Sequence, residues 1–372
     1  AGPDRLAELP ALVAGVEAGG PPQVRTGFDL EPPRFLPARP EPGRTGATAY
    51  VTVMKGCNER CSYCVVPRTR GPGRYRPSAE ILDEVTRLVG AGVKEVTLLG
   101  QTVNSYRDPA GALPPAPGAG EQPWRWTSRA RARQDQSELG ALLRALCTRV
   151  PGLQRLRYTA PHPRFVDAAL IEAHRDLPEL AGHVHLPVQS GSDRVLKRMI
   201  RRHTVAEYEE RVERLRAAVP ALTLSTDTIV GFPGETRDDL RATAALLQRV
   251  GVVGMFGFMY SVRPGTSALS LGDDVPPQEK SERLAELFAV SDALRLAHLR
   301  ALVGTVQQVL VEGRGPDGRL SGRTGRNEIV HFDSTDDLTG RMVDVRIVAP
   351  FKHSLAGELE REAPAQRALE VV

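Results

Sequence analysis

The sequence predicts an α/β protein built as a partial (β/α)6 parallel barrel, followed by a small all-β barrel. Strand-like runs and amphipathic helical runs alternate six times from residue 50 onward. Such alternation forces parallel strands, because each helix must return the chain to the same edge of the sheet, and a curled parallel sheet gives an open or closed barrel. After a helix at residues 278–302 the pattern changes to short alternating strands with Gly at the turns, which is typical of a small β-barrel.

Each barrel unit begins with a short β-branched or apolar run that predicts a strand. These runs fall at residues 50–54, 95–99, 156–159, 183–187, 222–230 and 252–260. Helical periodicity follows at residues 78–89, 137–149, 204–219 and 237–250. The final barrel is expected from strands near residues 305–311, 320–323, 329–332 and 342–349.

Two stretches interrupt this pattern. Residues 1–48 are rich in proline, and only residues 5–16 have a helix-like spacing of Leu and Val, so a tail or linker is expected there. Residues 108–136 are rich in Pro, Gly and Arg, which predicts an irregular and mobile insertion.

Composition indicates a globular enzyme. No apolar run approaches the roughly 20 residues of a membrane-spanning helix, and the N-terminus lacks the pattern of a secretory signal, so a cytoplasmic location without membrane contact is expected. The net charge is +4, and only five of the 49 basic residues are lysine. Abundant arginine suits phosphate contact but equally reflects genome base composition, so charge alone does not decide the function.

Three of the four cysteines lie within eight residues, which points to a metal site in a reducing compartment. Cys57, Cys61 and Cys64 follow the first strand with the spacing C-x3-C-x2-C, at the end of the barrel that carries catalysis. Three thiolates leave one iron of a four-iron cluster open for a ligand. The alternative is structural zinc, but no fourth Cys or His follows at zinc-finger spacing. Cys147 lies on an apolar helical face and is expected to be a buried hydrophobe.

The cysteine loop resembles the signature of radical S-adenosylmethionine (SAM) enzymes, and several further runs resemble the MiaB-type tRNA methylthiotransferases. In order they are GCN at 56–58, CVVP at 64–67 with TRG at 69–71, LLGQ at 98–101, LPVQSGSD at 186–193, DTIVGFPGE at 227–235, RPGT at 263–266, DDVP at 273–276, LVEG at 310–313, GRT at 322–324 and Asn327. The resemblance covers residues 44 to about 361. Many ordered matches are specific, whereas GFPGE or SGS alone is only a turn motif.

Membership would imply a partial barrel of radical SAM type and a [4Fe–4S] cluster that binds SAM. The 5′-deoxyadenosyl radical would take hydrogen from an adenine carbon, and a methylthio group would then be added to C2 of N6-isopentenyladenosine beside the anticodon. The partners would be tRNA and an electron donor such as flavodoxin or ferredoxin, with the protein a monomer. A sister family modifies a ribosomal protein instead, but residues 64–71 look closer to the tRNA-modifying branch.

The resemblance also assigns residues to the SAM site. These are Tyr63 beside the adenosine, Gln101 at the SAM amino acid moiety, Gln189 and Ser190 at the end of the fourth strand, and Asp227, Gly231 and Gly234 at the end of the fifth. Glycines there would let the backbone approach a nucleoside closely. Each assignment has a structural alternative, such as a core acid for Asp227 or a loop cap for Gln101. For Phe232 we favour packing.

The resemblance further divides the chain. Residues 1–43 are expected to be a linker or a remnant of the family's N-terminal domain, 44–299 the radical SAM core, 300–361 an RNA-binding TRAM barrel, and 362–372 a tail. In the family that N-terminal domain supplies three cysteines for a second cluster, and those ligands are absent here. One expectation is therefore a chain competent only for SAM cleavage and RNA binding.

Histidines and surface arginines complete the sequence-based expectations. His162, His183 and His185 flank strands without a metal-like spacing, so structural roles are expected. Six arginines of the final barrel are candidates for RNA contact, with Arg323 and Arg326 foremost. The set is Arg314, Arg319, Arg323, Arg326, Arg341 and Arg346.

Overall fold

A computed structural model gives the architecture of the protein. It describes residues 1–29, 33–38, 40, 46–114 and 137–360. Most of the insertion expected at residues 108–136, and all of the tail expected at 362–372, lie outside the described residues.

Eight strands form the first part of the chain. They are β1 (Thr48–Thr52), β2 (Met54–Lys55), β3 (Arg74–Tyr75), β4 (Glu95–Leu99), β5 (Arg155–Tyr158), β6 (His183–His185), β7 (Thr223–Val230) and β8 (Gly254–Met259). Two parallel sheets run in the orders β1-β4-β5 and β6-β7-β8. A parallel bridge between Leu156 and Leu180 joins them, so β1 and β8 are the two free edges. The expected partial barrel of six parallel strands is confirmed.

The helices pack outside these strands. They are α1 (Leu9–Glu17), α2 (Val66–Thr69), α3 (Ser78–Gly90), α4 (Leu139–Arg149), α5 (Ala168–Asp176), α6 (Asp193–Arg198), α7 (Val205–Ala218), α8 (Arg237–Val250) and α9 (Pro277–Ala301). Capping boxes at Thr204 and Thr236 start α7 and α8, because each threonine side chain accepts from a backbone N–H one turn later. No helix among the described residues is long and apolar enough to cross a membrane.

The larger apolar core of this part lies between the sheets and the helices. On α3 the buried residues Ile81, Val85 and Leu88 recur at intervals of four and three, which places them on one face of the helix. The strand residues Val51 and Leu98 belong to the same core. Alternate strand residues point the other way, into the interior of the barrel.

The antiparallel hairpin of β2 and β3 was not expected from the sequence. Each strand has two residues, too few to show an alternating pattern. The chain start packs on this hairpin, because the buried Asp4 carboxylate lies 3.0 Å from Lys55 Nζ and 2.6 Å from Arg74 Nη1. The hairpin encloses the cysteine loop, so these contacts brace that loop from outside.

The C-terminal part is a closed five-stranded barrel, as expected. Its strands are β9 (Val306–Arg314), β10 (Leu320–Thr324), β11 (Ile329–Phe332), β12 (Met342–Pro350) and β13 (Leu355–Leu359). They close in the order β10-β11-β13-β12-β9 around a core of their own. Closure leaves this small barrel no free sheet edge.

The small barrel is docked against the N-terminal ends of the parallel strands. Arg155 donates to the Arg323 carbonyl at 2.9 Å, and Arg157 donates to the Thr324 carbonyl at 2.7 Å. Glu95 pairs with both guanidinium groups, at 3.1 and 3.0 Å. The turn between β10 and β11 therefore closes one end of the parallel barrel.

Candidate active site

The three clustered cysteines lie in a loop between β2 and β3. Gly56 starts it with a φ of +73°, and an added Cβ would lie 2.0 Å from the Pro72 carbonyl oxygen, so this turn requires glycine. The Cys57 N–H donates to the Gly71 carbonyl at 3.2 Å, which closes the loop at its base. The loop follows directly on β1, at the C-terminal face of the parallel strands.

The thiols differ in exposure. Cys57 is buried, whereas Cys61 and Cys64 are half-buried. Burial raises the pKa of the Cys57 thiol, and hydrogen bonds from Thr102 and the Glu59 N–H oppose that rise. Burial also raises the pKa of Cys64. Metal binding would displace these thiol protons, because the thiolate is the ligand.

The donor set fits a four-iron cluster better than a zinc ion. Within the described ranges, no three His, Cys, Asp or Glu side chains converge where one metal ion could sit. Zinc needs that convergence, whereas a four-iron cluster takes each thiolate on a different iron. Cys57, Cys61 and Cys64 are all carried by this one loop, and three ligands would leave one iron open.

Arg201 contacts the cysteine loop from the far side of the barrel. Its Nη1 lies 3.5 Å from Cys61 Sγ, and its Nη2 donates to the Pro187 carbonyl at 2.8 Å. The side chain is buried, so its charge acts on the sulfur with little screening by water. Arg201 thus joins the loop to the end of β6.

Gln101 and Asp227 have polar groups available to a ligand. Gln101 follows β4, and its buried Oε1 has no hydrogen-bond partner among the described residues. Asp227 lies on β7 and points into the barrel, where its Oδ1 is 3.2 Å from His185 Nε2. A buried carbonyl oxygen without a partner is costly, so Gln101 fits the position of a ligand-binding group.

Gln189 and Ser190 lie just beyond β6. Gln189 has a φ of +77°, unusual for a non-glycine residue. Its N–H donates to the Asp227 carbonyl and its own carbonyl accepts from the Ile229 N–H, both at 2.9 Å, so its backbone continues the pairing with β7. Ser190 is fully buried, and its hydroxyl lies 3.5 Å from the hydroxyl of Thr243.

Close packing explains the glycines after β7. A Cβ at Gly231 would lie 2.3 Å from Lys280, and one at Gly234 would lie 3.1 Å from Arg198. The space beside each glycine is therefore occupied by a side chain of this protein. Tyr63 packs against a small apolar cluster that includes Phe232, and burial raises the pKa of its phenol.

The three singled-out histidines sit in structural surroundings. His162 accepts from the Arg164 N–H at 3.1 Å, and His183 bonds to Thr223 at 3.0 Å. Burial lowers the pKa of both rings. His185 alone reaches a predicted site residue, Asp227.

Sequence reasoning missed two residues at this site. Thr102 directly follows Gln101, so its place beside the loop could have been inferred. Arg201 lies 140 residues beyond Cys61, and no local pattern points to their contact.

Known sequences resemble this chain over nearly its full length. A tRNA-2-methylthio-N(6)-dimethylallyladenosine synthase of Sorangium cellulosum is 58% identical, with 98% of this chain and 74% of the relative covered. A protein of the same name from Acidithiobacillus ferrooxidans is 44% identical over 100% of this chain and 77% of its own length. This chain thus spans about three quarters of these relatives.

Two family models also match the chain. Residues 51–247 match the Radical SAM superfamily and residues 300–359 match the TRAM domain. Among solved structures, coproporphyrinogen III oxidase from Escherichia coli is similar over 75% of this chain and 65% of its own, with 14% identity and a TM-score of 0.43. The chain belongs to the radical SAM superfamily and, within it, to the family of tRNA-2-methylthio-N(6)-dimethylallyladenosine synthases.

Proposed function

We propose that this chain is a radical SAM methylthiotransferase that modifies C2 of N6-isopentenyladenosine beside the anticodon of tRNA. The observation that carries the proposal is the three-cysteine loop at the C-terminal face of a partial parallel barrel, in a chain 58% identical to a synthase of that name. Strand ends of this kind collect catalytic groups. The C-terminal TRAM domain supplies the expected RNA contact.

The cofactors are a [4Fe–4S] cluster and SAM, and Cys57, Cys61 and Cys64 would hold the cluster. Reduced and bound to SAM, it supplies the 5′-deoxyadenosyl radical. The chain's residues bind and orient the reactants. Gln101, with its unpartnered oxygen, and Asp227, whose carboxylate faces the barrel interior, are the best-supported SAM contacts.

Five further SAM contacts remain predictions. Position at the strand ends supports Gln189, Ser190, Gly231 and Gly234, although the surroundings of the last three are filled by protein groups. For Tyr63 the support is its place inside the cysteine loop. The proposed domain limits, 44–299 for the core and 300–361 for the RNA-binding barrel, enclose β1–β8 and β9–β13 respectively.

We infer that the four cysteines hold a single cluster. Cys147, on α4, lies outside the loop, and burial, helped by Glu179, raises its pKa to about 12. A thiol so reluctant to ionise is a poor sulfur carrier, and one cysteine outside the loop does not supply the ligands of a second four-iron cluster. We therefore infer that no second cluster is held by the described cysteines.

The electron donor is proposed to be a small acidic redox protein such as flavodoxin or ferredoxin, and the chain to act as a monomer. Three exposed arginines lie in the same β2–β3 segment as the cysteines, namely Arg60, Arg68 and Arg70. A positive rim would attract an acidic donor and speed its association.

The test compares two substrates under one set of conditions. The reconstituted chain receives SAM, dithionite and either an isopentenyladenosine-containing anticodon stem-loop or a ribosomal protein of the sister family's class. Stimulation of 5′-deoxyadenosine release by the stem-loop alone supports the proposal. Stimulation by the ribosomal protein alone would overturn the tRNA assignment.

A further inference from the structure

Two basic side chains face each other at the base of the cysteine loop. Lys55 is the last residue of β2 and Arg74 is the first residue of β3, and they are direct partners across the antiparallel pair. Like charges placed opposite each other on neighbouring strands destabilise the pairing. A two-stranded hairpin is marginally stable at best, and here each strand has two residues. The hairpin that carries the cysteines therefore needs a counter-charge.

The carboxylate of Asp4 contacts both of these cations. Its Oδ1 lies 3.0 Å from Lys55 Nζ, and its Oδ2 accepts from Arg74 Nη1 at 2.6 Å. The Asp4 side chain is 1% exposed, so water screens its charge only weakly. Burial raises the pKa of Asp4, but the bonds from Arg74 and Lys55 outweigh that effect and leave the pKa below its ordinary value. One charged carboxylate thus holds both strands.

Phe28 and Asp29 extend this contact along the loop. The Asp29 N–H donates to Asp4 Oδ2 at 3.1 Å, which fixes the carboxylate in place. A Cβ at Gly71 would lie 3.3 Å from the Phe28 ring, so Gly71 packs directly against that ring. The carbonyl of Gly71 is the group that accepts from the Cys57 N–H and closes the loop. The N-terminal segment therefore contacts the hairpin and also the residue that closes the loop.

We propose that Asp4 is a positioning residue for the [4Fe–4S] cluster, because its carboxylate cancels the repulsion between Lys55 and Arg74 and so fixes the loop that carries the three cysteine ligands. Asp4 acts through the loop and touches no reactant. Without the carboxylate, two opposed cations are left at the hairpin, and one of them, Arg74, is buried. This inference rests on the proposed cluster and adds a residue from the segment expected to be a linker or a domain remnant.

The experiment measures how fast iron leaves the reconstituted full chain when an Fe²⁺ chelator is added in the absence of oxygen. Asp4→Asn keeps the size of the side chain and removes its charge. Iron should then leave about 10-fold faster, the order of the affinity loss when a group that supports metal ligands is removed. Adding Lys55→Met to the Asp4→Asn chain removes one of the two opposed cations. This second change should slow iron release again, because the repulsion across the hairpin is gone.

Two control variants separate this effect from others. Glu8→Gln is the matched control, because Glu8 lies in the same segment and its carboxylate pairs with Arg5 of that segment at 3.0 Å. Arg155→Met controls for lost stability, since it breaks a buried ion pair with Glu95 at the opposite end of the parallel strands. Both control chains should release iron at the parent's rate.

The positioning role is overturned if Asp4→Asn releases iron at the parent's rate, or if Lys55→Met does not slow its release. Release from Arg155→Met as fast as from Asp4→Asn would also overturn it, because the effect would then be one of global stability. Should Asp4→Asn retain no iron after reconstitution, the iron content of the double variant decides in the same way. If the parent itself takes up no iron, the proposed cluster fails first.

Discussion

Arg201 lies with its Nη1 3.5 Å from the Sγ of Cys61, and it also bonds to the backbone at the end of β6. A buried cation that donates to a ligand sulfur stabilises the added electron when a cluster is reduced. This contact would therefore set the reduction potential of the cluster as well as the position of the loop.

Replacing Arg201 with methionine should make the cluster harder to reduce, because a positive charge and an N–H donor are lost near the sulfur. The midpoint potential, followed by electron paramagnetic resonance during a redox titration, should become more negative. SAM cleavage should fall by about 10- to 100-fold with a weak reductant. Arg202→Met is the control, since its exposed neighbouring charge should matter little. An unchanged potential with a full cluster would contradict this role.

Cys61→Ala should abolish cluster binding and SAM cleavage together, because two thiolates would remain for the cluster. Iron analysis of the reconstituted parent should give about four irons per chain, as one cluster requires. Cys147→Ala should retain both iron and activity. Full SAM cleavage by the Cys61→Ala chain would disprove the assignment of the loop.

Arg155→Met should loosen the attachment of the small barrel. The variant leaves the buried Glu95 with one partner fewer and removes the bond to the Arg323 carbonyl. Loss of one member of a buried ion pair costs about 3–5 kcal/mol. Urea unfolding measures this free energy. Arg87→Met, which breaks an exposed pair with Asp83, should cost under about 1 kcal/mol. If the two variants lose the same free energy of unfolding, the Arg155 contact does not stabilise the protein as a buried ion pair should.

Acid should destabilise the protein through His174. Burial lowers its pKa to about 4, and its Nε2 lies 2.7 Å from the Tyr158 hydroxyl. In the unfolded chain His174 is protonated near pH 6.5, whereas in the folded chain it is protonated only near pH 4. Its contribution to the free energy of unfolding is therefore complete above pH 6.5 and is lost as the pH falls toward 4. At pH 5 the loss is about 2 kcal/mol.

Urea unfolding at pH 7 and pH 5 gives that loss. The buried His162 and His203 and the half-buried His183 act in the same direction, because desolvation lowers their pKa values too. His174→Gln should therefore reduce the pH dependence without removing it. A His174→Gln chain with the parent's full pH dependence would show that this ring does not contribute.

The sequence predicted most strands and helices because their patterns are long enough to read. The predicted 95–99 strand and the 237–250 helix coincide with β4 and α8. The β2–β3 hairpin was not predicted, because its strands have two residues each and show no alternating pattern. Pairing partners, not periodicity, define such short strands.

The candidate site was predictable where its residues are neighbours in the chain. The spacing of Cys57, Cys61 and Cys64 indicates a metal site directly. Arg201 contacts the loop only in the folded barrel, so no local pattern indicates its role. The surroundings of Arg326 were equally hidden from sequence. Its guanidinium lies 2.9 Å from Gln307 and 3.5 Å from Glu328. Arg323 also pairs with a carboxylate, that of Glu312 at 3.2 Å, but its side chain is 36% exposed against 22% for Arg326, so Arg323 is the more accessible candidate for RNA contact.

The most direct test of the account follows the hydrogen that the reaction removes. A stem-loop carrying isopentenyladenosine with deuterium at C2 is incubated with the reconstituted chain, SAM and reductant. Mass spectrometry then measures the deuterium content of the 5′-deoxyadenosine that is released. One deuterium is expected in that product, because the radical should remove the hydrogen at C2 of the bound base. Release of 5′-deoxyadenosine without deuterium, while the stem-loop is bound, would contradict it.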